Sequence, residues 1–233
     1  MKYLYLILIA ATIVSCRNGV RGSGNIIKDT RQLSEFTSMS VSGSIKVEVK
    51  TGAVASLIVE ADDNIMPSVI TKVTDRNLSI KLKGINNLRN ATVRVYLVVP
   101  TLNKISTAAS AEVRSDEAIT NSEKMTLSAS SGSLINVKVD APSISAGGSS
   151  GADIILTGRT KNISAESSSG SSVNLFGLKA ENATASASSG ADIDIFASMG
   201  LNASASSGGN VNYKGGATSV VKNVSSGGSV NPE

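Results

Sequence analysis

The triplet Ser-Ser-Gly returns six times in the second half of the chain, with its glycine at Gly132, Gly151, Gly170, Gly190, Gly208 and Gly227, at spacings of 19, 19, 20, 18 and 19 residues. No other feature restricts the fold as much, because a unit of this length is too small to bury a core and must stack on its neighbours. Three residues after each glycine stands Ile135, Ile154, Val173, Ile193, Val211 or Val230. Five after it stands Val137, Leu156, Leu175, Ile195 or Tyr213. The intervening position is Asn136, Asn174, Asp194, Asn212 or Asn231, with Ile155 the exception. That alternation predicts a strand with one buried face.

A weaker strand precedes each glycine, at Ile144-Ser145-Ala146, Ile163-Ser164-Ala165, Ala183-Thr184-Ala185 and Ala203-Ser204-Ala205. From its Ser or Thr to the glycine the distance is 6, 6, 6 and 4 residues, and a change of two keeps each side chain on its own face. Coils stacked at the strand spacing form a parallel β-helix, in which six copies rise roughly 25–30 Å. A sandwich of antiparallel hairpins is the competing all-β arrangement, and the regular self-similar spacing favours the solenoid.

Residues 25–125 alternate less regularly, in runs near 44–50, 57–61, 69–73, 78–82 and 91–99 parted by turn signals such as Asp62-Asp63-Asn64. Antiparallel pairing is expected across these short turns. Val41-Ser42-Gly43-Ser44-Ile45-Lys46-Val47 and Ala109-Ser110-Ala111-Glu112-Val113 read as degenerate copies of the repeat. The expectation is therefore a single elongated domain over 25–233, irregular over 25–125 and regular over 126–233. The last coil, ending at Pro232-Glu233, looks thinly covered, which is compatible with a homo-oligomer.

The first 15 residues have the form of an export signal: Lys2, an apolar run from Tyr3 to Val14 that is short for a bilayer span, and Ile13-Val14-Ser15 before the chain's single cysteine. Cys16 in that context resembles the acceptor of a bacterial lipobox, which makes the membrane a partner through a lipid at Cys16. An ordinary secretory signal is the alternative. Residues 16–24, polar and Gly-rich, read as a flexible tether. Arg17, being neither Asp nor Glu, fits outer-membrane sorting better than inner-membrane retention, and the face of the membrane stays open.

Taken in order, Gly22-Ser-Gly-Asn-Ile-Ile, the segment from Phe36 to Val49, Val59-Glu-Ala-Asp-Asp-Asn, Leu78-Ser-Ile-Lys-Leu, Val98-Val-Pro-Thr-Leu and the Ser-Ser-Gly repeats resemble the putative auto-transporter adhesin, head GIN domain family. That resemblance implies a right-handed β-helix of the pectin-lyase-like architecture in exported proteins and lipoproteins of Bacteroidetes-type bacteria. It brings no catalytic or binding residues with it.

Composition narrows the chemistry. With no histidine and one cysteine, Ser-His-Asp and Cys-His catalysis and the usual zinc ligand sets are excluded. The net charge of +4 is spread over scattered Lys and Arg, and aromatics are 3% of the chain, so no nucleic-acid footprint is present. No cofactor or metal is expected. A calcium roll is suggested by Gly147-Gly148-Ser149-Ser150-Gly151-Ala152-Asp153, but the Asp153 position holds Leu134, Ser172, Asn210 and Ser229 in other coils. The carboxylates Asp153, Asp192 and Asp194 are the candidates for polysaccharide chemistry. Asp192 and Asp194, two apart on one strand face, stand roughly 6.5–7 Å apart, within the range of inverting glycosidases. The bland counterpart is that an exposed face carries charge to stay soluble. No Arg or Lys recurs in the columns neighbouring these carboxylates to bind an anionic sugar, and Asn174, Asp194, Asn212 and Asn231 are expected to form a surface side-chain ladder from coil to coil. Phe176 and Phe196, six residues after Gly170 and Gly190, are expected to cover a coil corner. The functional expectation is a non-enzymatic envelope lipoprotein acting as adhesin or scaffold, with an envelope protein or glycan as partner. The alternative is a polysaccharide-active enzyme using Asp192 and Asp194.

Overall fold

The structure, a computed structural model, describes residues 19–85 and 87–233. The export signal, Cys16 and the start of the tether lie outside the described residues. Twenty strands follow one another with almost no helix. In chain order they are β1 (Val20–Arg21), β2 (Ile26–Arg31), β3 (Ser38–Ser42), β4 (Lys46–Thr51), β5 (Ser56–Asp62), β6 (Val69–Thr74), β7 (Asn77–Leu82), β8 (Leu88–Arg89), β9 (Val93–Val99) and β10 (Lys104–Ala108). Then come β11 (Glu112–Thr120), β12 (Lys124–Ala129), β13 (Leu134–Gly148), β14 (Asp153–Ser167), β15 (Ser172–Ala187), β16 (Asp192–Phe196), β17 (Gly200–Ala205), β18 (Asn210–Lys214), β19 (Ser219–Val224) and β20 (Ser229–Pro232).

These strands wind into a β-solenoid of about six turns. Two parallel tracks run its length. The first track stacks β3, β10, β12, the second halves of β13, β14 and β15, then β17 and β19. The second stacks β4, β11, the first halves of β13, β14 and β15, then β16, β18 and β20. The Ser-Ser-Gly triplets are the corner where the first track turns into the second. At each corner the second serine and the glycine both take left-handed backbone, as at Ser150 (φ 53°) and Gly151 (φ 68°). Two successive positive φ values make a primed type I turn, the reason glycine recurs there. The turn closes through Ala152 N–H to Ser149 C=O at 3.2 Å. The freed glycine N–H groups then stitch one corner to the next, Gly132 to the Ser150 carbonyl at 3.1 Å and Gly151 to the Ser169 carbonyl at 3.1 Å.

Inside the coils, the isoleucine, valine and leucine columns of the second track meet a first track that is large at Met125, Ile144 and Ile163 and small at Ala146, Ala165 and Ala185, and one cluster of buried side chains runs from Phe36 to Val230. Just past each corner the interior is too narrow for anything but Ala, Ser or Gly. Ser133 and Ser171 are buried there, and each hydroxyl pairs with another, Ser133 with Thr107 at 2.9 Å and Ser171 with Ser167 at 2.8 Å. Among the described residues no buried side-chain polar atom lacks a partner, as burial of hydroxyls requires.

The register corrects one detail. Ser145, Ser164 and Thr184 share a column with Asn202, not with Ser204, which pairs with Ser186. The first-track strand thus keeps its distance to the glycine, and no slip of two is needed. The irregular spacing arises in the second track instead, where β15 carries an extra residue at Phe176 between the paired segments.

The first half departs from simple stacking. Its degenerate copies lie in register with the repeats, Val47 opposite Val113 and Val41 opposite Thr107. Between β4 and β10, however, the chain makes an excursion to the other side of that coil, so β3 lies between β7 and β10, and β4 between β9 and β11. Antiparallel strands then cover this end: β6 on β7, β5 on β9 and β2 on β5.

The tether expected over 16–24 is corrected from Gly19 onward. β1 pairs in parallel with β8, and the following loop is held by three consecutive side chains. Asp62, 1% exposed, accepts Gly24 N–H at 2.6 Å on one oxygen and Thr92 N–H at 2.7 Å on the other. Asp63 accepts from Ser23 Oγ at 2.5 Å and Asn25 Nδ2 at 2.9 Å. Asn64 accepts from Ser23 N–H at 3.0 Å and donates to the Arg21 carbonyl at 2.8 Å. Glycine at 22 is required by close approach, since a Cβ there would lie 2.6 Å from Asp62 Oδ2 and 2.7 Å from the Asn90 carbonyl.

Candidate binding face

Parallel in-register stacking turns each outward position of a strand into a column, so sequence periodicity becomes surface chemistry. On the first track the column through the middle of the face reads Ser40, Ser106, Ser128, Gly147, Glu166, Ser186, Ser204. Beside it, at the corner, run Ser130, Ser149, Ser168 and Ser188. From Ser40 to Ser188, short of Ser204, these residues line a groove of about 550 Å³. It crosses six strands, about 24 Å along the solenoid axis. At its middle, Gly147 leaves a gap that packing does not demand: a Cβ there would meet nothing within 4 Å. Glu166 stands next to the gap, exposed, with no hydrogen bond or ion pair to any described residue.

Each serine hydroxyl both donates and accepts, and the lone carboxylate accepts. A row of such groups at the strand spacing suits a long hydroxyl-bearing ligand laid across the strands. The sequence signal for it was Ser at alternate positions before the glycines, but Gly147 and Glu166 interrupt the column, and the pairing of β10 with β3 that extends it is non-local.

The second track carries the carboxylates and amides singled out from sequence. Asp153, Ser172, Asp192 and Asn210 follow one another in register, and so do Asn174, Asp194, Asn212 and Asn231. The ladder expected in the second column is interrupted. Asn212 Nδ2 donates to Asp194 Oδ1 at 3.0 Å. Asn174 instead accepts the Phe176 N–H at 3.2 Å, because the extra residue in β15 turns that backbone donor toward it. Asn231 crosses to Asn210 in the neighbouring column at 3.2 Å. The Asp192 and Asp194 pair lies on this track, away from the serine groove.

At the far corner of the coils, Lys214 lies 4.1 Å over the Phe176 ring and Lys179 4.1 Å over the Phe196 ring. Asp140, Arg159 and Lys179 follow in register. Basic residues therefore recur in adjacent coils at this corner, six positions beyond the Asp153 column and not beside Asp153, Asp192 and Asp194. The extra residue at Phe176 offsets the spacing and hid the Arg159 to Lys179 match. Arg159 is committed to Asp140 at 2.6 Å, and that carboxylate holds the guanidinium above its ordinary pKa. On the second track of the first half, burial pushes the Glu112 carboxyl upward, but Arg114 and Lys46 outweigh it and hold the group below its ordinary pKa.

The solved structures similar to this chain share its fold. A putative adhesin from Bacteroides fragilis superposes with a TM-score of 0.83 at 19% identity, covering 92% of this chain and 100% of that one. A putative lipid binding protein from Parabacteroides distasonis gives 0.74 at 19% identity, over 93% and 100%. A putative adhesin from the same species gives 0.73 at 21%, also over 93% and 100%. No curated protein matches the chain. The family model described as putative auto-transporter adhesin, head GIN domain, matches residues 35–217, and the chain belongs to that family.

Proposed function

We propose that this protein is a non-enzymatic adhesin module of the cell envelope, carried by a lipid on Cys16, and that it binds an extended hydroxyl-rich polymer along its serine groove. The observation that carries the proposal is the groove itself: hydroxyls repeated on six strands around the Gly147 gap, with Glu166 an acceptor that no described residue engages. The adhesin description of the family agrees with a binding role at the envelope. Outer-membrane sorting, argued from Arg17, belongs to the same proposal.

The test measures binding of the chain to a panel of neutral and acidic glycans and to isolated envelope fragments. A Cβ at 147 meets no atom, so Gly147→Arg directs its side chain into the gap and should weaken binding at least about tenfold, some 1.4 kcal/mol, with little change in melting temperature. Glu166→Gln keeps the shape and weakens binding less. Wild-type affinity in Gly147→Arg would overturn the groove as the site. Release of reducing ends from any glycan, lost in Asp194→Asn, would instead establish the polysaccharide-active alternative on the second track.

A further inference from the structure

We infer that the N-terminal end of the solenoid is seated on the surface of the bilayer that holds Cys16. The inference rests on the proposed lipidation of Cys16 and adds an orientation and a contact surface to it. Its first support is covalent reach. A nine-residue flexible tether would let the fold wander, but the chain is fixed from Val20 onward by its pairing with Leu88 and by the Asp62-Asp63-Asn64 clamp. Four residue steps separate Cys16 from Val20, at most about 14 Å of extended chain. The opposite end, at β19, lies about 38 Å farther along the axis.

The second support is what this end exposes. Val20, Ile26 and Ile27 are 40%, 43% and 39% exposed; β19 exposes valines at the opposite end as well, so it is the reach from Cys16 that selects this end. They lie on β1 and β2, which pair only with β8 and β5 and so leave their outer edges free. Val20 and Arg21 alternate across β1, so this edge strand offers an exposed aliphatic on one face and a guanidinium on the other. Exposed aliphatics on an unpaired edge suit the upper acyl region of a lipid layer, and a guanidinium at the same edge suits its phosphates. Seated this way, the solenoid stands away from the membrane and the serine groove runs outward along its axis.

The experiment takes the acylated full chain, purified from envelopes and returned to vesicles of phosphatidylethanolamine and phosphatidylglycerol, and follows amide hydrogen exchange. Amides in 20–31 and 88–89 should exchange about tenfold more slowly than in the non-acylated Cys16→Ala chain, while those of β19 stay the same. The triple variant Val20→Ser, Ile26→Ser, Ile27→Ser should keep its acyl chains and still pellet with vesicles, yet lose the slowing. An acylated chain whose N-terminal amides exchange as they do in solution overturns the seating and leaves lipidation standing. Failure of palmitate to label Cys16 in cells overturns both.

Discussion

The two ends of the solenoid are finished in different ways. At the N-terminal end, antiparallel strands lie over the stacked coils, and a nearly inaccessible carboxylate at Asp62 joins segments 38 and 30 residues apart in sequence. At the C-terminal end, β19 and β20 each pair on one side only, with β17 and β18. All six residues of β19 are exposed, Val221 and Val224 by more than half. What closes that end is chemical: Lys222, in the inward column where Ala203 and Ala185 stand in the preceding coils, lies 4.7 Å over the Tyr213 ring and donates to the Val230 carbonyl at 3.3 Å. A cation in an interior column discourages another strand from continuing the stack. One end is sealed by non-local structure, and the other is blunted by a single substitution in a local repeat. Damage to the first should therefore spread, and damage to the second should stay where it is.

The largest effect expected from this contrast is at Asp62. Asp62→Ala leaves the N–H groups of Gly24 and Thr92 without their acceptor and costs about 3 kcal/mol. Because those bonds hold the N-terminal loop to the covering strands, the loss should appear as a lower urea midpoint for the whole chain, together with fast exchange over 20–31. Lys222→Ala, at the other end, should change global stability by less than about 0.5 kcal/mol. Equal losses in the two variants would mean that the ends are coupled through the stack.

The same contrast explains what was legible. A parallel solenoid repeats its environment every coil, so Ile135, Ile154 and Val173 answer the same packing demand and the sequence repeats with them. Coil length, the corner, the inward columns and the outward order Asp153, Ser172, Asp192 could all be read for that reason. Three things could not. Asp62-Asp63-Asn64 has the composition of a turn, and nothing local tells that its side chains hold the loop at 22–25. The placement of β3 and β4 between strands made later in the chain is set by non-local pairing, which leaves no period. The serine groove could not be read either: Gly147 and Glu166 break its column, and its serines are the same residue type that fills the corners, so no period sets it apart.

A smaller effect is expected inside the repeats, where one coil can be changed alone. Gly170 takes φ 67° at its corner and a Cβ there would touch nothing, so Gly170→Ala pays only the left-handed backbone cost of about 1 kcal/mol. At Gly209 the balance is reversed. Its backbone is not left-handed, but a Cβ would lie 2.6 Å from the Ala187 backbone carbon, so Gly209→Val overpacks the narrow interior and costs about 2 kcal/mol. Calorimetry of the two variants separates backbone strain from crowding. The reverse order would show that the corner column, not the interior width, sets the stability of a coil.

The smallest effect should come from pH. Hydrogen bonds from Ser23 and Asn25 hold the Asp63 carboxyl below its ordinary pKa. A depressed folded-state value means that the ionised group favours the folded loop. Its contribution is fully present above the pKa it has in the unfolded chain, about 3.9, and fades as the pH falls through the lower folded value. Below that range the protonated carboxyl can no longer accept both bonds, so the loop at 22–25 should loosen in acid before the coils do. Asp63 is half-buried in a surface loop whose carboxylate bonds are local to residues 23–25, so the change is expected as faster amide exchange at Ser23 and Asn25 with little movement of the global midpoint. In Asp63→Asn the acid step should vanish, since one oxygen remains to accept and nothing titrates. If the step persisted in that variant, another group would have to be the one that links acid to the N-terminal end.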